Sequence, residues 1–105
     1  MAKVSPVPVV NMLSDYSHPL QALADTLTMR QTIGALKDRS VAWSGDYNNV
    51  ARSLAEACVM LGAKFSIATP PAYAPQAAEI ARINSLGSGE FVATTDPTTA
   101  VIGAD

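Results

Sequence analysis

His18 and Gln21 stand three residues apart in the run His18-Pro19-Leu20-Gln21-Ala22-Leu23-Ala24-Asp25. Proline is well suited to the first position of a helix, so Pro19 predicts a helix start with His18 just ahead of it. Gln21 then lies one turn along the same face. At a helix N-terminus the backbone dipole disfavours a positive ring, and a neutral imidazole has one N–H to donate to a carbonyl oxygen as it gains charge. A glutamine amide both donates and accepts, which suits a ligand group carrying both an NH2 and a C=O. A second stretch, Gly45-Asp46-Tyr47-Asn48-Asn49, combines a glycine turn with two asparagines at the start of another helix, where free N–H groups favour an anion. Each stretch also has a plainer role. His18 can simply cap its helix while Gln21 is solvated, and asparagine is a preferred N-cap. From local spacing alone the plainer roles are favoured.

The elements around these residues follow from hydrophobic patterning. Val7 to Asn11 reads as a first strand, at an edge or starting after Pro8, because Pro6 and Pro8 lack donors. Leu20, Leu23, Ala24 and Leu27 form one apolar helical face, ended by Gly34. Val41 to Ser44 is a second strand. Val50, Leu54, Ala57, Cys58 and Leu61 mark a second helix, closed by Gly62. Lys64 to Ala68, a Pro-rich turn from Thr69 to Pro75, a helix from Pro75 to about Leu86, and a strand from Phe91 to Thr94 come next. Asp96-Pro97-Thr98 opens a short last helix that ends at Gly103. The alternation predicts an α/β fold: a Rossmann-like parallel sheet of about four strands with flanking helices, in three α/β/α layers. Both candidate stretches then sit at strand-to-helix junctions, where open α/β sheets bind ligands. After the last helix the next strand is expected beside the first, and without it the sheet has an open edge suited to pairing with another copy.

The 105 residues suffice for one domain, and 49% of them are hydrophobic while only 15% are charged, which leaves apolar surface to meet another domain or subunit. The net charge is −2 and the basic residues are scattered, which excludes a nucleic-acid-binding stripe. One cysteine, Cys58, excludes an internal disulfide, and one histidine excludes a multi-histidine metal site. No apolar run approaches a membrane span, and the N-terminal residues carry no signal-peptide h-region, so a cytoplasmic location is the default expectation. No Gly-x-Gly-x-x-Gly occurs after either early strand, which disfavours a dinucleotide site.

The two stretches together resemble signatures of the aspartate/ornithine carbamoyltransferase family: His18-Pro19-x-Gln21 with Leu23-Ala24-Asp25, and the Gly-Asp-x-Asn-Asn turn of its ornithine-specific branch. Val7 to Leu27, Trp43 to Leu54, Ala68-Thr69-Pro70 with Tyr73 and Pro75, Thr95-Asp96-Pro97 and Gly103-Ala104-Asp105 match in order over nearly the whole chain. The resemblance implies that residues 1–105 are part of the amino-acid (ornithine)-binding domain. It implies that His18 and Gln21 contact the carbamoyl group of carbamoyl phosphate, that Asn49 binds the amino-acid end of ornithine, and that Asn48 supports the turn. Asp15 and Asp25 match structural positions. Carbamoyl phosphate and ornithine are the implied partners, citrulline and phosphate the implied products, and no metal or organic cofactor is implied.

The family's Ser-Thr-Arg-Thr-Arg phosphate motif, its Ser-Met-Gly loop and its His-Cys-Leu-Pro loop do not occur in these residues. Those groups neutralise phosphate and orient the amine, so the 105-residue chain alone is expected to have no useful transferase activity. Three other readings stand beside this one: a carbamoyltransferase for another amine, a non-catalytic α/β module that self-associates through its open edge, and a small-anion binder using the two helix N-termini. A homo-oligomer is expected through the open edge or through the surface that a further domain would cover.

Overall fold

The computed structural model of the chain describes residues 3 and 5–105. Met1, Ala2 and Val4, part of the stretch read for a targeting segment, lie outside the described residues. The element order is α1 (Pro19–Ile33), β1 (Ser40–Ser44), α2 (Asn49–Met60), β2 (Lys64–Ala68), a 3-10 turn (Pro71–Tyr73), α3 (Ala77–Asn84), β3 (Glu90–Thr94) and α4 (Pro97–Val101). The sheet has three parallel strands in the order β1-β2-β3. Val41 pairs with Phe65 and Trp43 with Ile67; Phe65 in turn pairs with Phe91.

The expected strand at Val7 to Asn11 does not form. These residues are irregular, and Val7 and Val10 are exposed. Pro6 and Pro8 withdraw two donors from any ladder. The sheet therefore has three strands rather than about four, and β1 is an edge.

Strand β2 is central, and its side chains explain the layering. Phe65 and Ile67 are fully buried with Leu54, Cys58 and Val59 of α2, Ile83 of α3 and Phe91 of β3 in one core. Phe65 and Phe91 meet with ring centroids 5.8 Å apart, an edge-to-face range for aromatic pairs. α2 and α3 therefore share one face of the sheet, as successive right-handed crossovers in one direction require. α4 packs across all three strands with Ala100 buried, on the side carrying the smaller residues Ala42, Ser66 and Ala68. Gly89 joins α3 to β3 where backbones crowd: a Cβ there would fall on the backbone of Val59 and Ala63.

Helix α1 is turned away from its expected orientation. Its buried residues are Ala22 and Thr26, and Met29 and Ile33 also pack on the core, while Leu20, Leu23 and Leu27 are exposed. α1 packs on α2 rather than on the sheet. Small side chains let two helices approach closely, so the Ala22/Thr26 stripe takes the contact and the leucines face outward. After α4 the chain returns beside β1, which is the strand at 40–44 and not one at 7–11. Asp105 N–H donates to Ser40 O at 2.8 Å, and Ser40 N–H donates to the Asp105 carboxylate at 2.8 Å.

Candidate functional site

His18 is the N-cap residue of α1, and Pro19 opens the helix as expected. Its side chain makes no capping bond; the His18 carbonyl accepts from Ala22 N–H at 3.2 Å. The ring nitrogen Nδ1 is buried and has no protein partner, so the ring is not spent on closing its own helix.

The first turns of α2 supply the groups that hold this segment. Gly45 leaves β1 with φ +144°, a conformation that other residues rarely adopt, and turns the chain into α2. Asn48 is the N-cap of α2: its Oδ1 accepts from Ala51 N–H at 2.9 Å. Asn49 Nδ2 donates to Ser14 O at 2.6 Å. Ser53 Oγ accepts from His18 N–H at 2.8 Å. Asn49 of the second signature thus holds the segment leading into the first, and Ser53, one turn further along α2, holds His18 itself; the partners of each pair, 14–49 and 18–53, lie thirty-five residues apart.

Gln21 behaves differently. It is exposed, and its Nε2 donates to Asp25 Oδ1 at 2.9 Å, an (i, i+4) pair along α1. Asp25 therefore holds the Gln21 amide with its carbonyl oxygen turned free of that bond.

Sequence patterning missed the charged cluster behind the site. Arg52 Nη1 donates to Tyr16 O at 2.7 Å and Arg52 Nε to Glu79 Oε1 at 2.8 Å. The Arg52 guanidinium carbon lies 4.3 Å from the Tyr16 ring centroid and 5.2 Å from that of Tyr47, within cation–π range. Tyr47 OH donates to Glu79 Oε1 at 2.8 Å, and Arg82 grips both Glu79 oxygens at 2.9 and 3.0 Å while reaching Glu56 at 2.8 Å. Hydrogen bonding from Arg82 first, then from Tyr47 and Arg52, outweighs burial and brings the Glu79 carboxyl down to about 2. Burial, then the bond to Glu79, pushes the Tyr47 hydroxyl well above its ordinary value. Arg52 stays charged: burial works against its charge, but the bonds with Tyr47 and Glu79 prevail. A cleft of about 350 Å³ lined by Tyr47, Arg52, Ala74, Pro75, Gln76 and Glu79 opens over this cluster. Two local pairs signal the cluster: Glu79 and Arg82 at (i, i+3) within α3, which do meet, and Arg52 and Glu56 at (i, i+4) within α2, each of which instead finds its partner on α3.

Among the described residues, no three acidic, histidine or cysteine side chains gather as a metal site. Cys58 is buried in the core, and desolvation pushes its thiol up to about 12, which suits packing and not nucleophilic work.

Comparison with known proteins adds the lineage. Residues 37–105 match the family model described as aspartate/ornithine carbamoyltransferase, Asp/Orn binding domain. The chain belongs to the aspartate/ornithine carbamoyltransferase family. Residues 1–31 match the model of the same family's carbamoyl-P binding domain. Thus the His18 segment and the Asn48–Asn49 turn lie in stretches matched by two different carbamoyltransferase domain models. The ornithine carbamoyltransferase of Bacillus subtilis is 47% identical over 108 residues, covering 100% of this chain and 34% of the relative. That of Thermus thermophilus is 45% identical over 104 residues, covering 99% of this chain and 33% of the relative. The solved ornithine carbamoyltransferase from Pyrococcus furiosus superposes with a TM-score of 0.91 at 44% identity, over 99% of this chain and 34% of that one. The chain therefore spans about a third of the length of the carbamoyltransferases it matches, and its Rossmann-like α/β architecture is theirs.

Proposed function

We propose that this chain is the portion of an ornithine carbamoyltransferase in which the carbamoyl-binding histidine meets the ornithine-binding turn. The reaction transfers a carbamoyl group from carbamoyl phosphate to the side-chain amine of ornithine. The amine lone pair attacks the carbamoyl carbon, and the C=O π electrons move onto oxygen in a tetrahedral intermediate. Collapse re-forms the carbonyl, breaks the carbon–phosphate oxygen bond and releases phosphate, while the nitrogen loses a proton to give citrulline. In this reading His18 donates to the carbamoyl oxygen as it becomes negative. Gln21 receives the carbamoyl NH2 on its amide oxygen. Asn49 meets the amino-acid end of ornithine, and Asn48 holds the turn as the cap of α2.

The observation that carries the reading is the junction of the two signatures. The bonds from Asn49 Nδ2 to Ser14 O and from His18 N–H to Ser53 Oγ tie the His18 segment to the first turns of α2, and they support this reading in a chain whose relatives along its full length are named ornithine carbamoyltransferases. The same reading includes a cytoplasmic enzyme, consistent with the free thiol of Cys58. It also assigns the 105 residues alone no useful turnover.

His18 is the single histidine, so its ring resonances report binding without ambiguity. Titration of the pure chain with millimolar carbamoyl phosphate is expected to shift those resonances in the wild type, and His18→Ala is expected to abolish the ligand-induced shifts of the neighbouring α1 amides. Ring signals that ignore carbamoyl phosphate, with inorganic phosphate as control, would remove His18 from the binding role. Citrulline formation by the pure chain, abolished in His18→Ala, would overturn the assignment of no turnover.

A second reading is a self-associating α/β module, favoured by the edge position of β1 in the three-stranded sheet. Light scattering across a concentration range tests it: a strict monomer at high concentration counts against it.

A further inference from the structure

We propose that Arg52 is the positioning residue of the His18 segment, acting with Asn49 and Ser53 as a three-point clamp from one face of α2. The inference rests on the reading of His18 as a substrate-facing group. It adds a residue that neither signature contains.

The clamp follows from spacing on both partners. Asn49, Arg52 and Ser53 are at i, i+3 and i+4, so they share a helical face. Their targets are alternate backbone groups of a short segment: the carbonyls of Ser14 and Tyr16 and the N–H of His18. Bends at Asp15 and Tyr16 shape the segment so that these three groups meet one face of α2, and three side chains on that face dock it in a single register. The segment is also folded on itself, with Ser14 N–H donating to Ser17 O at 2.8 Å. It therefore docks as a unit, and His18 is carried at its end.

Among the three anchors, only Arg52 is charged and only Arg52 is itself held from behind. Its guanidinium uses Nε for Glu79 and Nη1 for Tyr16 O, and its plane meets the Tyr16 ring. Glu79 is fixed in turn by Arg82 and Tyr47. A guanidinium fork can serve two acceptors and an aromatic face at once; an ammonium cannot reproduce that geometry. The clamp also joins the stretch matched by the carbamoyl-P domain model to the stretch matched by the Asp/Orn domain model. Arg52 thus couples the placement of the histidine to the α2 N-terminus that carries Asn48 and Asn49.

The test is amide hydrogen exchange and ring chemical shift of His18 in the whole chain, without ligand. In Arg52→Met the His18 amide is expected to exchange about tenfold faster, the loss of a charge-assisted anchor. The ring resonances are expected to move toward those of free histidine. Cys58 and Val59 amides in the core of α2 should keep their wild-type rates, a pattern that general destabilisation would not produce. Arg52→Lys is expected to behave like Arg52→Met. Wild-type exchange and ring shifts at His18 in a folded Met or Lys variant would overturn the proposal. Loss of folding in both would overturn it too, by making Arg52 a support of the whole fold. Because no ligand is present, this outcome is independent of the carbamoyl phosphate titration, and either reading can fail alone.

Discussion

Glu79 accepts hydrogen bonds from Tyr47, Arg52 and Arg82 at once, and its side chain is only 19% exposed. Its carboxyl is held at about 2 against an ordinary 4.5, chiefly by Arg82. A depressed folded-state value means that ionised Glu79 stabilises the fold fully above about pH 4.5, and that this contribution is lost as pH falls toward about 2. Urea unfolding of the wild type and Glu79→Gln at stepped pH should therefore show a gap of about 1 to 3 kcal/mol at neutral pH that closes in acid. A gap independent of pH would show that the carboxylate charge is not what the network uses. His18 and Asn49 were recognisable from their types and spacing. Arg52 and the bond that ties it to Glu79 were not: Arg82 is a local (i, i+3) partner of Glu79, but Arg52 finds Tyr16 and Glu79 at 36 and 27 residues' separation, and local patterning carries no information at that range.

At the scale of elements, caps were the most legible feature. Pro19, Asn48 and Asp96 mark the starts of α1, α2 and α4 as their residue types require. Asp96 accepts from Thr98 N–H at 3.0 Å and from Thr99 Oγ1 at 2.7 Å. Asn48→Ala removes the bond to Ala51 N–H and is expected to cost about 1 kcal/mol, read from the urea midpoint, with unchanged slope. An unaltered midpoint would mean that the α2 N-terminus is secured by its tertiary contacts instead. The orientation of α1 was the least legible. Two faces of the same helix are compatible with period 3.6: Leu20, Leu23 and Leu27, or Ala22, Thr26, Met29 and Ile33. Hydrophobicity favours the first, and close packing on α2 selects the second.

For the whole molecule, that choice leaves Leu23 60% and Leu27 55% exposed, lining one cleft with Leu61, itself 49% exposed. Exposed apolar patches of this kind mark surfaces that meet another body. The double substitution Leu23→Lys, Leu27→Lys removes no core contact, so its cost to stability is expected to be within about 0.5 kcal/mol. It should lower the apparent mass in light scattering at high concentration if this face drives self-association. A large loss of stability would show that the leucines are buried in the molecule as it exists in solution.

The sequence by itself determined the fold class, the order of helices and strands from residue 19 onward, the starts of α1, α2 and α4 and the two signatures that place the chain in its family; α3 begins at Ala77, two residues after the expected Pro75. These are local properties: period, β-branching, turn chemistry and motif spacing are all written within a few residues. Tertiary structure decided that Val7 to Asn11 stays out of the sheet, that α1 buries its small residues, and that Asn49, Arg52 and Ser53 grip the segment leading to His18. Each of those outcomes depends on which surfaces approach each other in space, and that is settled by close packing and by pairing of buried polar groups across distant parts of the chain.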